Sequence, residues 1–428
     1  MKKAYKVILL GAFILSAFVP VLVGTTNAQD GPVVITMWHD AAEADPFSAV
    51  LPPAIERFNA THDDVQIEAT AMDVDALKTQ LSVAIAAGEP PDIFMTWGGG
   101  LLKSYVDAGI VRAIPELSGE TADKFIEGGV SPSTFDGVHY AVPGTLTGIF
   151  LYYNKALFED AGLEPPATWD DLVASCEVFN DKGIVPIALG NVNRWTGSFW
   201  FMNLNLRIGG PEAFLNAYER TGSFADPVFV KSGELLQDAV RAGCFGEGFN
   251  GMDYTDEQVL FGTGMAAMEL QGDWNYAGLL NIDPEMTHND VGIIMFPPVA
   301  ESEDGDPLAL VGGTGVAYAI SATAPEETGA ALIALLTDDE FGKSCGEHGF
   351  ISALKGYDQY IEEPAVQHMV EMLSEATFVQ VAYDQFLPSE LAQVHLDTTQ
   401  GLFGLSLTPE EAAAQTEEAA VAALGPSK

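Results

Sequence analysis

Basic side chains are scarce in this 428-residue sequence, which holds 18 Lys and Arg against 61 Asp and Glu and has a formal net charge of −43 at pH 7. Residues 1–28 contain three of the lysines and no acid, so the rest of the chain is more acidic still. Such a surface repels nucleic acid and anionic lipid. We therefore expect no nucleic-acid partner. We interpret the acidity as solvation, although a polyamine or a basic peptide is compatible with it.

Cysteine is also rare, and the three present are Cys176, Cys244 and Cys345. An oxidising compartment permits one disulfide, which would leave one thiol over. We predict that Cys176 pairs with Cys244, because each falls on or just past a predicted helix in the same central region. The alternative is that all three are buried thiols.

Signals for metals and cofactors are missing as well. The seven histidines do not reach metal-ligand spacing on a helix face, and no P-loop is present. A loose G-x-G-x-x-A pattern at 262–267 follows a predicted helix and precedes a predicted strand, the reverse of the dinucleotide-binding order. We expect no metal, no cofactor and no catalytic residue. Glycosidase activity, which needs two carboxylates placed across a glycosidic bond, remains an alternative because the chain has many acidic residues.

The start of the chain has the pattern of a cleaved secretory signal. Lysines precede an apolar stretch at 7–23, and small residues end the pattern at Ala28. We predict a signal peptide over residues 1–28, with no cysteine after it to carry a lipid anchor. The most apolar later stretch, 311–336, is interrupted by two glutamates. The mature chain is therefore expected to be soluble in the periplasm or another extracytoplasmic space.

Predicted strands and helices alternate in the first part of the chain. Strands at 33–38, 65–69 and 92–95 are separated by helices at 46–60 and 74–87. This alternation predicts an α/β fold with a mostly parallel sheet and helices on both faces. Similar units recur in the central third. Because roughly 400 residues exceed what one core supports, two domains are expected.

Aromatic and polar residues cluster where the predicted strands end. Sugars present an apolar C–H face and a rim of hydroxyls, so a sugar site needs flat aromatics beside rigid polar groups. Any single tryptophan can equally anchor a core, but several at separate loop ends favour ligand contact. The candidates of this kind are Trp38 with His39, Trp97, Arg194 with Trp195 and Trp200, and Asp273 with Trp274.

Several short motifs occur in an order that covers nearly the whole mature chain. These motifs are the stretches 35–38, 88–94, 140–143, 151–155, 166–172, 264–268, 272–274 and 312–315. With them the chain resembles the family 1 extracellular solute-binding proteins of ABC importers, which include maltose-binding protein and many sugar binders.

The resemblance implies a two-lobed, periplasmic-binding-protein-like α/β fold. Each lobe would be a mostly parallel sheet flanked by helices, with a ligand cleft between the lobes. The implied N-terminal lobe comprises 29–143 and 312–352, and the C-terminal lobe comprises 144–311 and 353–428.

When the family's ligand-contact positions are matched to this sequence motif by motif, the resemblance supports some of the candidates at strand ends and adds others. It supports Trp38 and His39, Trp195, and the Gly-Asp-Trp position, and it adds Thr96, Gly98 and His348. The segment of His348 departs from the family version, which commonly has proline where this chain has Phe350 and Ile351. The full predicted set is Trp38, His39, Thr96, Trp97, Gly98, Arg194, Trp195, Asp273, Trp274 and His348.

The function implied by the resemblance is that of an extracytoplasmic substrate-binding component of an ABC importer. It would bind a mono- or oligosaccharide by lobe closure, deliver it to permease subunits and act as a monomer without catalysis. The alternatives are a secreted carbohydrate-active enzyme, or a binding protein for a polyamine, a glycerol phosphate or a peptide.

Overall fold

The computed structural model describes residues 31–43, 45–300 and 302–428. The predicted signal peptide therefore lies outside the described residues. Within the described ranges, no helix has both the length and the apolar character needed to cross a membrane.

Strands and helices alternate through most of the chain. The strands are β1 (Val33–His39), β2 (Val65–Ala71), β3 (Ile93–Thr96), β4 (Thr134–Phe135), β5 (Val138–His139), β6 (Ala141–Asn154), β7 (Val185–Ile187), β8 (Ala266–Gly272), β9 (Val291–Ile294), β10 (Leu310–Ile320), β11 (Ile351–Ser352) and β12 (Val379–Gln380). The helices are α1 (Leu51–Thr61), α2 (Val74–Ala87), α3 (Gly99–Asp107), α4 (Glu127–Val130), α5 (Lys155–Ala161), α6 (Trp169–Asp181), α7 (Trp195–Tyr218), α8 (Pro227–Arg241), α9 (Tyr254–Gly262), α10 (Trp274–Ile282), α11 (Pro284–Asp290), α12 (Thr328–Leu336), α13 (Asp339–Glu347), α14 (Pro364–Glu375), α15 (Tyr383–Phe386), α16 (Ser389–Phe403) and α17 (Pro409–Leu424).

Local sequence signals explain where several of these helices begin and end. Asp73 caps α2 by accepting from the backbone N–H groups of its first turn, and Gly88 ends α2 in the left-handed conformation that favours glycine. Helix α6 begins with a capping box in which Thr168 and Asp171 satisfy each other's backbone N–H groups. The helices predicted at 74–87 and from Thr168 onward are confirmed.

The main sheet has the strand order β2-β1-β3-β10-β6-β8-β7. Strands β1, β2 and β3 are parallel to one another, as are β7 and β8, whereas β10 and β6 run antiparallel to their neighbours. The predicted parallel units are therefore present. They are joined through two antiparallel strands.

Strand β6 runs through both halves of the molecule. Its first part pairs with β10, from Ala141 opposite Ala319 to Gly148 opposite Gly312. Its second part pairs with β8 and β9. One continuous strand thus connects two sheet regions, and β11 pairs with it at the junction.

Two large apolar cores lie on either side of this junction, which confirms the two-lobed α/β fold. The first-lobe core gathers side chains from β1, β3, α1, α12 and α13. The second-lobe core gathers side chains from β6, β8, α6, α7, α8 and α16. Within the second-lobe core, Cys176 and Cys244 form a disulfide with a Cα–Cα distance of 5.0 Å, while Cys345 is a buried free thiol in the first-lobe core.

Candidate ligand-binding site

A cavity of about 340 Å³ lies between the two lobes. Its lining comes from loops and helix starts at the ends of strands β1, β3 and β8, from β6 and β10, and from α9 and α15. This is where an open α/β sheet places ligands, because the carboxyl ends of parallel strands leave a crevice. The volume falls near the lower end of the range for small-molecule sites, roughly 300–1,000 Å³.

The second-lobe wall of the cavity is aromatic. The rings of Trp195 and Trp274 are 6.4 Å apart, and the ring of Tyr254 lies 5.1 Å from that of Trp195. Phe199 packs against both tryptophans. Trp274 Nε1 donates to Tyr254 Oη at 3.1 Å, which fixes the orientation of the indole. The wall therefore offers fixed, flat apolar faces to a ligand.

Asp273 places a carboxyl group beside this wall. The residue is 2% exposed, and its Oδ1 accepts from Thr147 Oγ1 at 2.5 Å and from the backbone N–H of Gly148 at 3.2 Å. Burial raises the pKa of Asp273 to about 7. No described residue donates to Oδ2, so this cavity-lining side chain keeps an oxygen available for a ligand hydroxyl or ammonium group.

The first-lobe side carries most of the ionisable groups that line the cavity. Trp97 lies under Lys78, whose Nζ is 5.0 Å from the ring centre, and Lys78 is the only basic residue among the described residues of the lining. Burial and the nearby charge of Asp45 raise the pKa of Asp40 to about 7. The carboxylates lining the cavity are Asp40, Asp45, Asp73, Asp273 and Asp384.

Among the described residues, contacts of more than one kind join the lobes beside the cavity. Asn193 Nδ2, in the loop before α7, donates to Asp75 Oδ2 in the first turn of α2. On another side, α3 begins with glycines that lie against the backbone of α15. A Cβ atom at Gly100 would collide with the carbonyl oxygen of Phe386. The described structure is therefore a closed arrangement in which the lobes touch around the cavity.

The structure brings only part of the predicted site to this cavity. The predicted residues that line it are Trp97, Trp195, Asp273 and Trp274. The predicted residues outside the lining are Trp38, His39, Thr96, Gly98, Arg194 and His348.

The outlying residues near β1 and β3 have structural surroundings of their own. Trp38 packs against two apolar clusters of the first lobe. His39 is 2% exposed, its Nδ1 accepts from the N–H of Ala41 at 3.2 Å, and burial lowers its pKa to about 4. Thr96 Oγ1 accepts from the backbone N–H of Gly98, whose Cα lies too close to Pro132 for any side chain. These residues shape the loops rather than the cavity surface.

Arg194 and His348 face elsewhere. Arg194 Nη1 pairs with Asp397 Oδ1 at 2.5 Å, which draws the guanidinium toward α16. His348 is exposed, and its ring Nδ1 lies 2.9 Å from the carbonyl oxygen of Ser344 at the end of α13. Neither side chain reaches the cavity in this arrangement.

Several lining residues were not predicted from the sequence. Asp40 directly follows the predicted Trp38 and His39, so its position at the end of β1 was a usable signal. Tyr254, Lys78 and Asp384 come from two helix starts and a helix interior far apart in the chain, and no local pattern marks them.

One motif match needs its structural context. Residues 342–346 fit the nucleophile-elbow pattern G-x-S-x-G, which requires the serine at a sharp strand-to-helix turn. Here Ser344 lies within α13, and the nearest strand follows that helix. The match therefore identifies no nucleophile.

Comparison with known proteins agrees with this geometry. Residues 40–343 match the family model described as bacterial extracellular solute-binding protein. An uncharacterized ABC transporter extracellular-binding protein of Pyrococcus horikoshii is 27% identical over 245 residues, which are 55% of this chain and 54% of that protein. The multiple sugar-binding protein of Streptococcus mutans is 24% identical over 287 residues, 64% of each chain. The chain thus spans about half to two thirds of the length of these two curated relatives.

Similarity at the level of structure extends further along the chain. A solved structure from work on xylan utilization by the thermophilic bacterium Caldanaerobius polysaccharolyticus has a TM-score of 0.84 at 28% identity. The match covers 90% of this chain and 99% of that one, so both lobes are shared.

Proposed function

Because the chain belongs to the bacterial extracellular solute-binding protein family, we propose that it captures a short sugar between its lobes and delivers it to the permease subunits of an ABC importer. The observation that carries this proposal is the aromatic wall of Trp195 and Trp274 beside the fixed carboxyl of Asp273. Indole faces stack on the C–H face of a sugar, and a carboxyl oxygen accepts from its hydroxyls.

The size of the cavity supports a ligand of one or two sugar rings. At about 340 Å³ it falls near the lower end of the range for small-molecule sites, which favours a short ligand. The name of one relative, the multiple sugar-binding protein, supports a sugar as the class of ligand.

Transport follows from closure rather than from chemistry. A ligand that contacts both walls binds the closed arrangement more tightly than the open one and so shifts the population toward it. The closed form would then dock on the permease, and we propose no catalytic step. We further propose that the mature protein acts outside the cytoplasm as a monomer, after signal cleavage at Ala28.

A second candidate ligand is a polyamine, and one observation favours it. Among the described residues, the cavity lining has five carboxylates against one cation, that of Lys78. An ammonium group would balance this charge, whereas a phosphorylated ligand would be repelled. The same carboxylates can accept hydrogen bonds from sugar hydroxyls, so the negative charge of the cavity is consistent with a sugar as well as with a polyamine.

Calorimetric titration separates these ligands. The mature protein is titrated with xylobiose, cellobiose and maltose, with putrescine and glycerol 3-phosphate as comparison ligands. Saturable heat with at least one sugar supports the proposal, with a dissociation constant on the order of 1 μM. Saturation by putrescine alone would replace the sugar by a polyamine. Appearance of monosaccharide during prolonged incubation with the disaccharides would instead show a glycosidase.

A further inference from the structure

Two fully buried glutamates lie behind the aromatic wall of the cavity. Glu257 in α9 and Glu269 in β8 are both 0% exposed, and neither lines the cavity. Neither appears in an ion pair among the described residues. Burying an unpaired carboxyl group is costly, and apolar residues flank Glu269 in β8, so packing alone does not account for the pair.

Glu269 connects to the wall through a chain of side-chain hydrogen bonds. Its Oε1 accepts from Asn275 Nδ2. Asn275 Oδ1 accepts from Gln258 Nε2 at 2.8 Å, and the same amide nitrogen lies 3.2 Å from Tyr254 Oη. Tyr254 Oη in turn accepts from Trp274 Nε1 at 3.1 Å. The last three side chains of this chain of bonds, those of Gln258, Tyr254 and Trp274, all line the cavity.

Glu257 reaches the other tryptophan along a second route. Its Oε2 accepts from the backbone N–H of Gly190 at 2.7 Å, and its Oε1 accepts from Gln271 Nε2 at 2.8 Å. The carbonyl oxygen of Gly190 accepts from Thr196 Oγ1 at 2.6 Å, next to Trp195 at the start of α7. The loop that presents Trp195 is thus fastened to a carboxyl group in α9.

From this arrangement we infer that Glu257 and Glu269 are positioning residues, which set the affinity and selectivity of the site by fixing Trp195, Tyr254 and Trp274 for ligand stacking. The inference rests on the proposed function, because the wall is taken to bind the sugar. Hydrogen bonds that determine ring orientation matter here since stacking depends on geometry, and a tilted indole loses contact with a flat ligand face. On this inference, the two buried carboxyl groups contribute to ligand binding, although burying them costs folding free energy.

The Glu269 route gives the sharpest test, because its second oxygen has no partner among the described residues. Glu269→Gln can keep an acceptor toward Asn275 and should retain wild-type affinity for the disaccharide that binds, within about 3-fold. Glu269→Ala removes the acceptor and should weaken that affinity by about 10-fold or more. Glu417→Gln is the matched control, because it disturbs the ion pair with Arg220 in the same lobe, outside the cavity lining.

A ligand-free measurement keeps this inference separable from the ligand proposal. In a spectrum of ¹⁵N-labelled protein, the indole N–H signal of Trp274, assigned with Trp274→Phe, should shift and exchange faster with solvent in Glu269→Ala but not in Glu269→Gln. If none of xylobiose, cellobiose and maltose binds the wild type, the proposed function fails and this signal alone decides the inference. If Glu269→Ala does not fold, Asn275→Ala breaks the same route at its middle and is expected to give the same changes.

The results that overturn the inference are equally definite. An unchanged Trp274 signal together with wild-type affinity in folded Glu269→Ala would assign the glutamate a purely structural role. Loss of affinity in Glu417→Gln equal to that in Glu269→Ala would show that any disturbance of this lobe weakens binding. Rescue by glutamine, with loss in alanine, is the pattern that positioning requires.

Discussion

Asn193 and Asp75 are hydrogen bonded between the two lobes beside the cavity, from the amide Nδ2 of the second lobe to the carboxylate Oδ2 of the first. The other end of the same amide is also used, since Asn193 Oδ1 accepts from the backbone N–H of Tyr254 at 3.0 Å. One side chain thus joins the opposite lobe to a residue of the aromatic wall. A contact that exists only when the lobes meet stabilises the closed form selectively.

Replacement of this amide should loosen closure. Asn193→Ala removes a hydrogen bond to a carboxylate, so we expect affinity for the bound disaccharide to fall by about 10-fold. Small-angle X-ray scattering should show that Asn193→Ala still reaches the compact, ligand-bound form. The variant should need a higher disaccharide concentration than the wild type to do so. Asn289→Ala, which removes an exposed amide on α11, is the control. Equal affinity in both variants would show that the contact does not contribute.

The half-buried Trp195 of the cavity wall and the fully buried Trp200 of the core should behave differently on substitution. Trp195→Ala removes a stacking face of the cavity and should weaken sugar binding by roughly 10- to 100-fold with a small loss of stability. Trp200 is 0% exposed in the second-lobe core and does not line the cavity, so Trp200→Phe should lower the melting temperature while affinity stays unchanged. Calorimetric titration and thermal unfolding measure the two effects separately. The reverse pattern would place the ligand elsewhere.

The contribution of three buried carboxyl groups to stability should fall as the pH rises from about 5 to about 8. Burial raises the pKa of Asp273 to about 7 and that of Glu257 to about 8, and it raises the pKa of Glu269 well above its usual range. These groups keep their protons in the folded protein after the unfolded chain has lost them. Unfolding therefore releases protons in this interval, and raising the pH favours the unfolded state.

Glu269→Gln isolates one part of that pH dependence. The amide does not titrate, so the melting temperature of the variant should change less between about pH 5 and about pH 8 than that of the wild type, by at least about 2 °C. The overall negative charge contributes equally to both proteins and cancels in the comparison. Parallel melting curves over the whole interval would mean that Glu269 is ionised in the folded protein.

The disulfide should stabilise the second lobe. Cys176→Ser combined with Cys244→Ser opens a link between residues 68 positions apart and should cost about 2–4 kcal/mol of unfolding free energy. Thiol titration of the unfolded, unreduced wild type should find a single reactive group, that of Cys345. Three reactive thiols would contradict the pairing. Cys345→Ala serves as a control that leaves the disulfide in place.

Local sequence signals determined much of the fold in advance. Helix α2 was predictable to the residue because Asp73 caps it and Gly88 ends it, and the strand ends that border the cleft follow from alternation. The antiparallel joining of the two regions through β6 and β10 was not predictable from pattern, since it depends on pairing between strands more than 150 residues apart. Only the family resemblance indicated that the chain passes from one lobe to the other in these two segments.

The candidate site was predictable where a strand ends in an aromatic. Trp97 follows β3 directly, Trp274 comes two residues after the end of β8, and both line the cavity. Trp38 also lies near the end of a strand, but its side chain packs against two apolar clusters of the first lobe. The spacing of residues in the sequence does not show which way such a side chain points. Tyr254 and Asp384 reach the cavity only because α9 and α15 pack beside it, so long-range contacts alone identify them.

The course of β6 and β10 also dictates an order of events during synthesis. In the first lobe, β3 pairs with β10, and β10 begins at Leu310, after roughly three quarters of the chain has been made. The N-terminal strands thus wait for a partner that arrives late, and pairings of such long sequence separation form slowly. The first lobe of the nascent chain therefore stays incomplete, and accessible to export machinery or to proteases, until roughly the last quarter of the chain emerges.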